Sequence, residues 1–191
     1  MKKVFIFLFD GFSDWEIAFL TPEIRKSSDF QIVYFSKDGE PVSSMGGLRV
    51  SPETSLTAIH HGDVEMLILP GGTAWEKGEN DFMDTFVKSV FDNGKTVAAI
   101  CAATAYLANN GFLNALKHTS NDLYYLKAVA PLYTGEQHYI GSLAVTDQNL
   151  ITANGVAPIE FAREIFRKLN LYNETNIEKW FQLFKNGIWS E

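Results

Sequence analysis

The sequence predicts an α/β protein built on a mostly parallel, doubly wound sheet with helices on both faces. Short continuous apolar runs, the pattern of strands buried on both sides, alternate along the chain with amphipathic stretches of helical period. At 191 residues, 46% of them hydrophobic, the chain has enough apolar material for one substantial core and too little length for two comfortable ones. Such alternation implies right-handed βαβ crossovers within one sheet.

The first run, "VFIFLF" (4–9), follows Lys2 and Lys3 and so has the outline of a secretory leader. Its six residues fall short of a leader's apolar segment and far short of a membrane span, and it ends at Asp10-Gly11. It therefore reads as a buried first strand, and the protein as cytoplasmic and not membrane-bound. Further strands are expected at 31–36, 64–70, 96–100 and 149–154, with helices at roughly 14–26, 81–93, 102–110, 121–129 and 156–169. Two segments break the rhythm. The stretch 38–57, with Asp38-Gly39 and Gly46-Gly47 as turn signals, predicts a hairpin or small side sheet. The stretch 135–153, punctuated by Gly141 and Asp147-Gln148-Asn149, predicts short strands. His60-His61-Gly62 reads as a helix end ahead of the third strand, away from the active face. After Asn170 comes an amphipathic helix, capped by Asn173 or Thr175, with Ile177, Trp180, Phe181, Phe184 and Ile188 on one face. Residues 1–170 thus form the expected domain, and 171–191 a terminal helix packed on that domain or at a subunit contact.

Composition narrows the function. A net charge of −7 without a Lys/Arg stripe excludes nucleic acid as the expected partner. A single cysteine cannot form an internal disulfide and fits a reducing compartment. Four scattered histidines give no metal-ligand spacing, so neither metal nor cofactor is expected.

Ligands of open α/β sheets bind beyond the carboxyl ends of the strands. Three such loops stand out: Asp10-Gly11-Phe12-Ser13-Asp14-Trp15-Glu16, Pro70-Gly71-Gly72-Thr73, and Cys101-Ala102-Ala103. A cysteine between "VAAI" and "AATAYLA" stands at a helix N-terminus, where free N–H groups favour a thiolate, on a turn similar to the nucleophile elbow of Gly-x-Ser-x-Gly hydrolases. Spacing alone fits a core residue better than a nucleophile, cysteine being among the most buried residue types.

Together, "DGFSDWE", "ILPGGTAWE", "AAICAATAYLANNGFLNALKHTSND" and "LITANGVAPIEFAREI" resemble the ThiJ/PfpI superfamily, the class I glutamine amidotransferase-like fold, over residues 3–169. The resemblance implies a flavodoxin-like three-layer sandwich, a homodimer, and a reactive elbow cysteine at Cys101. It places the acidic partner at Glu16 and oxyanion-type backbone donors at Gly72 and Ala102. A protonated Glu16 would donate to the Cys101 sulfur and stabilise a thiolate; an ionised one would repel it.

The sequence departs from its relatives at histidine. Ala102 stands where protease-like members carry a histidine after the nucleophile, Asn121 stands where others carry "Thr-Ser-His", and "ANGVAPIE" has none. Asn121 can orient a substrate but cannot shuttle a proton. His118 and His138 are the candidates to fill the gap, from this chain or a second subunit, though each reads more simply as a loop histidine. The expected function is that of a cofactor-independent, cysteine-dependent hydrolase, hydratase or glyoxalase-like enzyme acting on a small carbonyl, amide or isocyanide, within a family labelled intracellular protease/amidase. The alternative is a non-catalytic stress-response protein that senses oxidants through Cys101.

Overall fold

The apolar runs become strands in the expected order. A computed structural model describes residues 1–189, so the last two positions of the 171–191 segment lie outside the described residues. Strands β1 (Lys2–Phe7), β2 (Phe30–Ser36), β6 (Val64–Leu69), β7 (Thr96–Ile100) and β9 (Leu150–Ala153) pair in parallel. Two edge strands complete a seven-stranded sheet in the order β5-β2-β1-β6-β7-β9-β8. One, β8 (Ala144–Asp147), runs antiparallel to β9 through a turn at Gln148, whose φ is +51°. The other, β5 (Thr54–Ser55), extends the sheet beyond β2 and was not foreseen. The expected hairpin forms from β3 (Val42–Ser43) and β4 (Arg49–Val50).

Helices α1 (Thr21–Lys26), α2 (Asp84–Asp92), α3 (Ala102–Asn109), α4 (Leu123–Val129), α5 (Pro158–Leu169) and α6 (Glu174–Asn186) connect or follow the strands. From β1 the chain moves outward to β2, then returns to β6 on the other side of β1. Right-handed crossovers therefore put α1 and α2 on opposite faces of the sheet. No helix among the described residues is long and apolar enough to cross a membrane.

Four helices begin later than the periodicity suggests: α2 follows a 3₁₀ turn at Asp81–Met83, and at the other three the delay has a local cause. Pro22 lacks an N–H and fits only a first turn, so the stretch 14–26 splits into a 3₁₀ turn at Asp14–Glu16 and α1. At α4 the Asp122 side chain accepts from the Tyr124 and Tyr125 N–H groups, which leaves Asn121 outside the helix. Pro158 likewise opens α5, leaving Gly155 and Val156 in a turn.

The core fills both sides of β1, β6 and β7, whose central residues are inaccessible to solvent. Phe7 is its aromatic hub, with ring centroids 5.3 Å from Phe9 and from Phe35, 5.7 Å from Trp75 and 5.9 Å from Phe82. The helix α6, capped by Asn173, lies on α5: Trp180 meets Phe166 edge-on at 4.7 Å, and Lys185 bonds the nearly buried Glu160 at 2.8 Å. Phe184 reaches Phe19 near α1 at 5.7 Å, joining α1, α5 and α6 on one face.

Removing the hub by Phe7→Ala is expected to lower the free energy of unfolding by about 3–5 kcal/mol. Chemical denaturation monitored by tryptophan fluorescence checks this; a loss below about 1 kcal/mol would show that the cluster repacks around the void.

Candidate active site

The chain leaves β7 and enters α3 through Cys101, whose backbone is held at φ +60°, ψ −131°. A residue with a Cβ in that region carries about 1–3 kcal/mol of strain, so its surroundings must fix it. They do so on three sides. The Cys101 N–H continues the sheet by donating to the Ala153 carbonyl at 3.0 Å. Its own carbonyl accepts from the Thr104 N–H at 3.0 Å and the Thr104 hydroxyl at 2.6 Å. With that proton committed, Thr104 Oγ1 accepts from the buried Ser120 hydroxyl at 2.7 Å. Two glycines then make room: a Cβ on Gly71 would fall 2.6 Å from Cys101 Cβ, and one on Gly155 would fall 2.8 Å from Sγ.

Glu16 arrives from the loop after β1 and is completely buried. Its Oε2 accepts the Gly71 N–H at 2.6 Å, its Oε1 is buried without a hydrogen-bond partner among the described residues, and the neighbouring Cys101 and Ser13 side chains help to hold its pKa down. Burial dominates these bonds and raises its pKa to about 7. Burial also pushes the Cys101 thiol up to about 11, helped by the Glu16 charge and opposed by donors from Asn121 and the Ala102 N–H. The thiolate expected from the helix N-terminus is therefore not the resting form at neutral pH, because desolvation outweighs the backbone donors. Protonating Glu16 removes the charge that opposes the thiolate, so one proton serves the pair.

Asn121 is oriented without ambiguity. Its Oδ1 accepts the Gly155 N–H at 2.9 Å, which turns Nδ2 toward Cys101 Sγ at 3.5 Å. Asn154 braces the same turn by donating from Nδ2 to the Asn121 carbonyl at 2.7 Å. Of the two expected backbone donors, the Ala102 N–H acts on the thiol by holding its pKa down against burial. Gly72 has its carbonyl tied to the Trp75 N–H at 3.3 Å, and its own N–H meets no acceptor among the described residues. Its φ of +148° and the closeness of Gly11 O, 2.7 Å from where a Cβ would stand, require glycine there.

The histidines stay away. His118 is fully buried, with Nδ1 donating to the Leu116 carbonyl at 2.7 Å, which leaves Nε2 to accept the Tyr133 hydroxyl at 2.7 Å. Burial lowers its pKa. His138 lies in a 3₁₀ turn, its ring beside Gln137 and its carbonyl accepting the His118 N–H. His61 bonds Ser89 ahead of β6, at the opposite end of the sheet from Cys101. Among the described residues no cluster of His, Cys, Asp and Glu is arranged to hold a metal ion.

Of the residues expected at the site, the structure brings Cys101, Glu16, Ala102 and Asn121 together. Not anticipated were Gly155, Asn154 and the Thr104–Ser120 pair; Gly71 was visible only as one of the two glycines in the loop after β6. Above the sulfur opens a cleft of about 700 Å³ whose lining includes Trp15, Glu16, Asn121 and Val156.

A seven-stranded, mostly parallel sheet with a cysteine on a strained strand-to-helix elbow beside a buried carboxyl defines a flavodoxin-like α/β protein. Within that class, the chain belongs to the DJ-1/PfpI family, whose model matches residues 2–168. It is 40% identical to Bacillus subtilis "Uncharacterized protease YoaZ", covering 96% of this chain and 91% of that one. It is 27% identical to Escherichia coli "Protein/nucleic acid deglycase 2", over 88% of this chain and 98% of that one. Among solved structures, the DJ-1 superfamily protein Atu0886 from Agrobacterium tumefaciens matches with a TM-score of 0.90 at 41% identity, covering 98% of this chain and 99% of that one.

Glu16 makes stability depend on pH. Its folded pKa, about 7, lies above the unfolded 4.5, so its contribution is full below 4.5 and is lost as pH rises through 7. Between about pH 4 and about pH 8, Glu16→Gln is therefore expected to gain on the wild type by roughly 3 kcal/mol, read from denaturant midpoints. Parallel pH profiles for the two proteins would show that the carboxyl is not buried as described.

Proposed function

We propose that this protein is a cofactor-independent enzyme in which Cys101 adds to the electrophilic carbon of a small substrate, with Glu16 as its acid/base partner. The observation that carries this reading is a thiol set against a carboxyl whose pKa, about 7, suits proton transfer at neutral pH. As Sγ bonds to a carbonyl carbon, its proton passes to Glu16 and from there to the carbonyl oxygen. The Ala102 N–H and Asn121 Nδ2 face the sulfur, and with the Gly72 N–H they supply donors for the developing oxyanion.

Relatives carry both protease and deglycase in their names. Carbonyl chemistry suits this site better than peptide cleavage. Addition to an aldehyde and its reversal need one proton-transfer group, whereas expelling an amine needs an acid beside the leaving nitrogen. Asn121 supplies no such proton, and both nitrogens of His118 are occupied. An isocyanide carbon, whose hydration expels no amine, belongs to the same substrate class, and an amide suits the site less well for the reason a peptide does. The proposal includes a small molecule as the ligand and a homodimer as the assembly, both on the family resemblance. An oxidant sensor would use the same donors to hold a sulfinate, but its first step needs a thiolate, which burial disfavours here.

Assays with a small 2-oxoaldehyde, a primary amide and an isocyanide test the proposal. Cys101→Ser is expected to abolish turnover, and Glu16→Gln to reduce kcat by roughly 10²–10⁴. The reactive pair holds one proton, so kcat/KM is expected to rise with pH through about 7. Full activity in Cys101→Ser overturns the proposal.

A further inference from the structure

The cleft has walls that the bond-making step does not require. Trp15 is 44% exposed and Val156 77% exposed, yet both ride on turns pinned by hydrogen bonds. Trp15 lies between buried Glu16 and Asp14, whose Oδ2 accepts the Ser44 hydroxyl at 2.6 Å from beside the β3–β4 hairpin. That hairpin region is itself tied to the loop by Gly11 N–H to Ser43 O and Met45 N–H to Phe12 O, both 2.8 Å. On the other loop, the Val156 N–H donates to Asn154 Oδ1 at 3.0 Å, and Asn154 holds the Asn121 carbonyl. Two large apolar side chains are thus fixed in contact with water, each on a different element, over the same sulfur.

The charge of the lining points the same way. Besides Trp15 and Val156 it comprises Pro158, Gly155, two neutral asparagines, the thiol and Glu16, with no Lys, Arg or His. A carboxylate or phosphate on the ligand finds no counter-charge there, and an ionised Glu16 repels it. The cleft's volume, about 700 Å³, also exceeds what a two- or three-carbon aldehyde fills.

We propose that the electrophile taken at Cys101 is uncharged and carries an aromatic or branched apolar group that packs against Trp15 and Val156, which set its specificity. This rests on the reading of Cys101 as a nucleophile toward carbon. The test needs no turnover, because Cys101 is the only cysteine and the mass gain that disappears in Cys101→Ser reports its alkylation. Phenacyl bromide, bromoacetone and bromoacetate share a leaving group and differ in bulk and charge; each second-order rate is divided by the rate with glutathione.

The wild type is expected to favour phenacyl bromide over bromoacetone by about tenfold, the scale of a modest apolar contact, and to react slowest with bromoacetate. Trp15→Ala is expected to bring the first ratio close to one, and Trp15→Phe to keep most of it. Val156→Ser, which leaves Trp15 in place, is expected to lower it partway. A ratio near one in the wild type, a preference for bromoacetate, or a ratio unchanged in both Trp15→Ala and Val156→Ser overturns the inference. Absence of turnover on aldehydes, amides and isocyanides, with this ranking intact, counts against the proposed reaction and leaves the selectivity standing.

Discussion

The hydrogen bond from the Gly71 N–H to the Glu16 carboxyl, 2.6 Å long and buried, joins the loop after β1 to the loop after β6. These two strands are neighbours at the point where the strand order reverses. The bond fixes the acid, and the missing side chain on Gly71 lets Cys101 approach the same spot: a Cβ there would stand 2.9 Å from Glu16 Oε2 and 3.1 Å from Cys101 Sγ. Acid, backbone donor and sulfur therefore have their positions set by one residue. Elsewhere the fold serves to keep the three loops in register, through a sheet whose centre is closed to water and an aromatic cluster around Phe7.

Burial governs the electrostatics of this arrangement more than the helix terminus does. The end of α3 offers the Ala102 N–H, and Asn121 offers an amide hydrogen, but both act against a desolvation penalty that raises the acid and the thiol together. The site therefore stores a proton between two reluctant anions. That is a different device from the exposed, acidic cysteines of redox proteins, and it suits a nucleophile that is ionised only as it attacks.

Much of this was legible in the sequence, for identifiable reasons. The strands at 64–70 and 96–100 announced themselves because both faces are buried over Met66–Leu69 and Thr96–Ile100, whereas the one at 31–36, partly exposed at Gln31, Ile32 and Tyr34, showed through its β-branched and aromatic run. The elbow at Cys101 was readable from its small neighbours and the order of surrounding motifs, whereas spacing alone favoured a core thiol. What escaped were features set by three dimensions. The edge strand β5 has only two residues and no pattern of its own. The start of α4 depended on Asp122 competing for backbone N–H groups, and the raised thiol depended on burial that no local pattern records. Gly155 gave no functional signal, because its role, leaving space beside a sulfur more than fifty positions earlier in the chain, exists only once β7 and β9 are paired.

The two glycines at the elbow also impose a direction. With the Gly71 backbone pressed against one side of Cys101 and the Gly155 backbone against another, any bond the sulfur forms must project toward the cleft. The open quadrant of the sulfur is accordingly chosen by the absence of two methyl-sized groups, and any side chain larger than hydrogen at either position would close it.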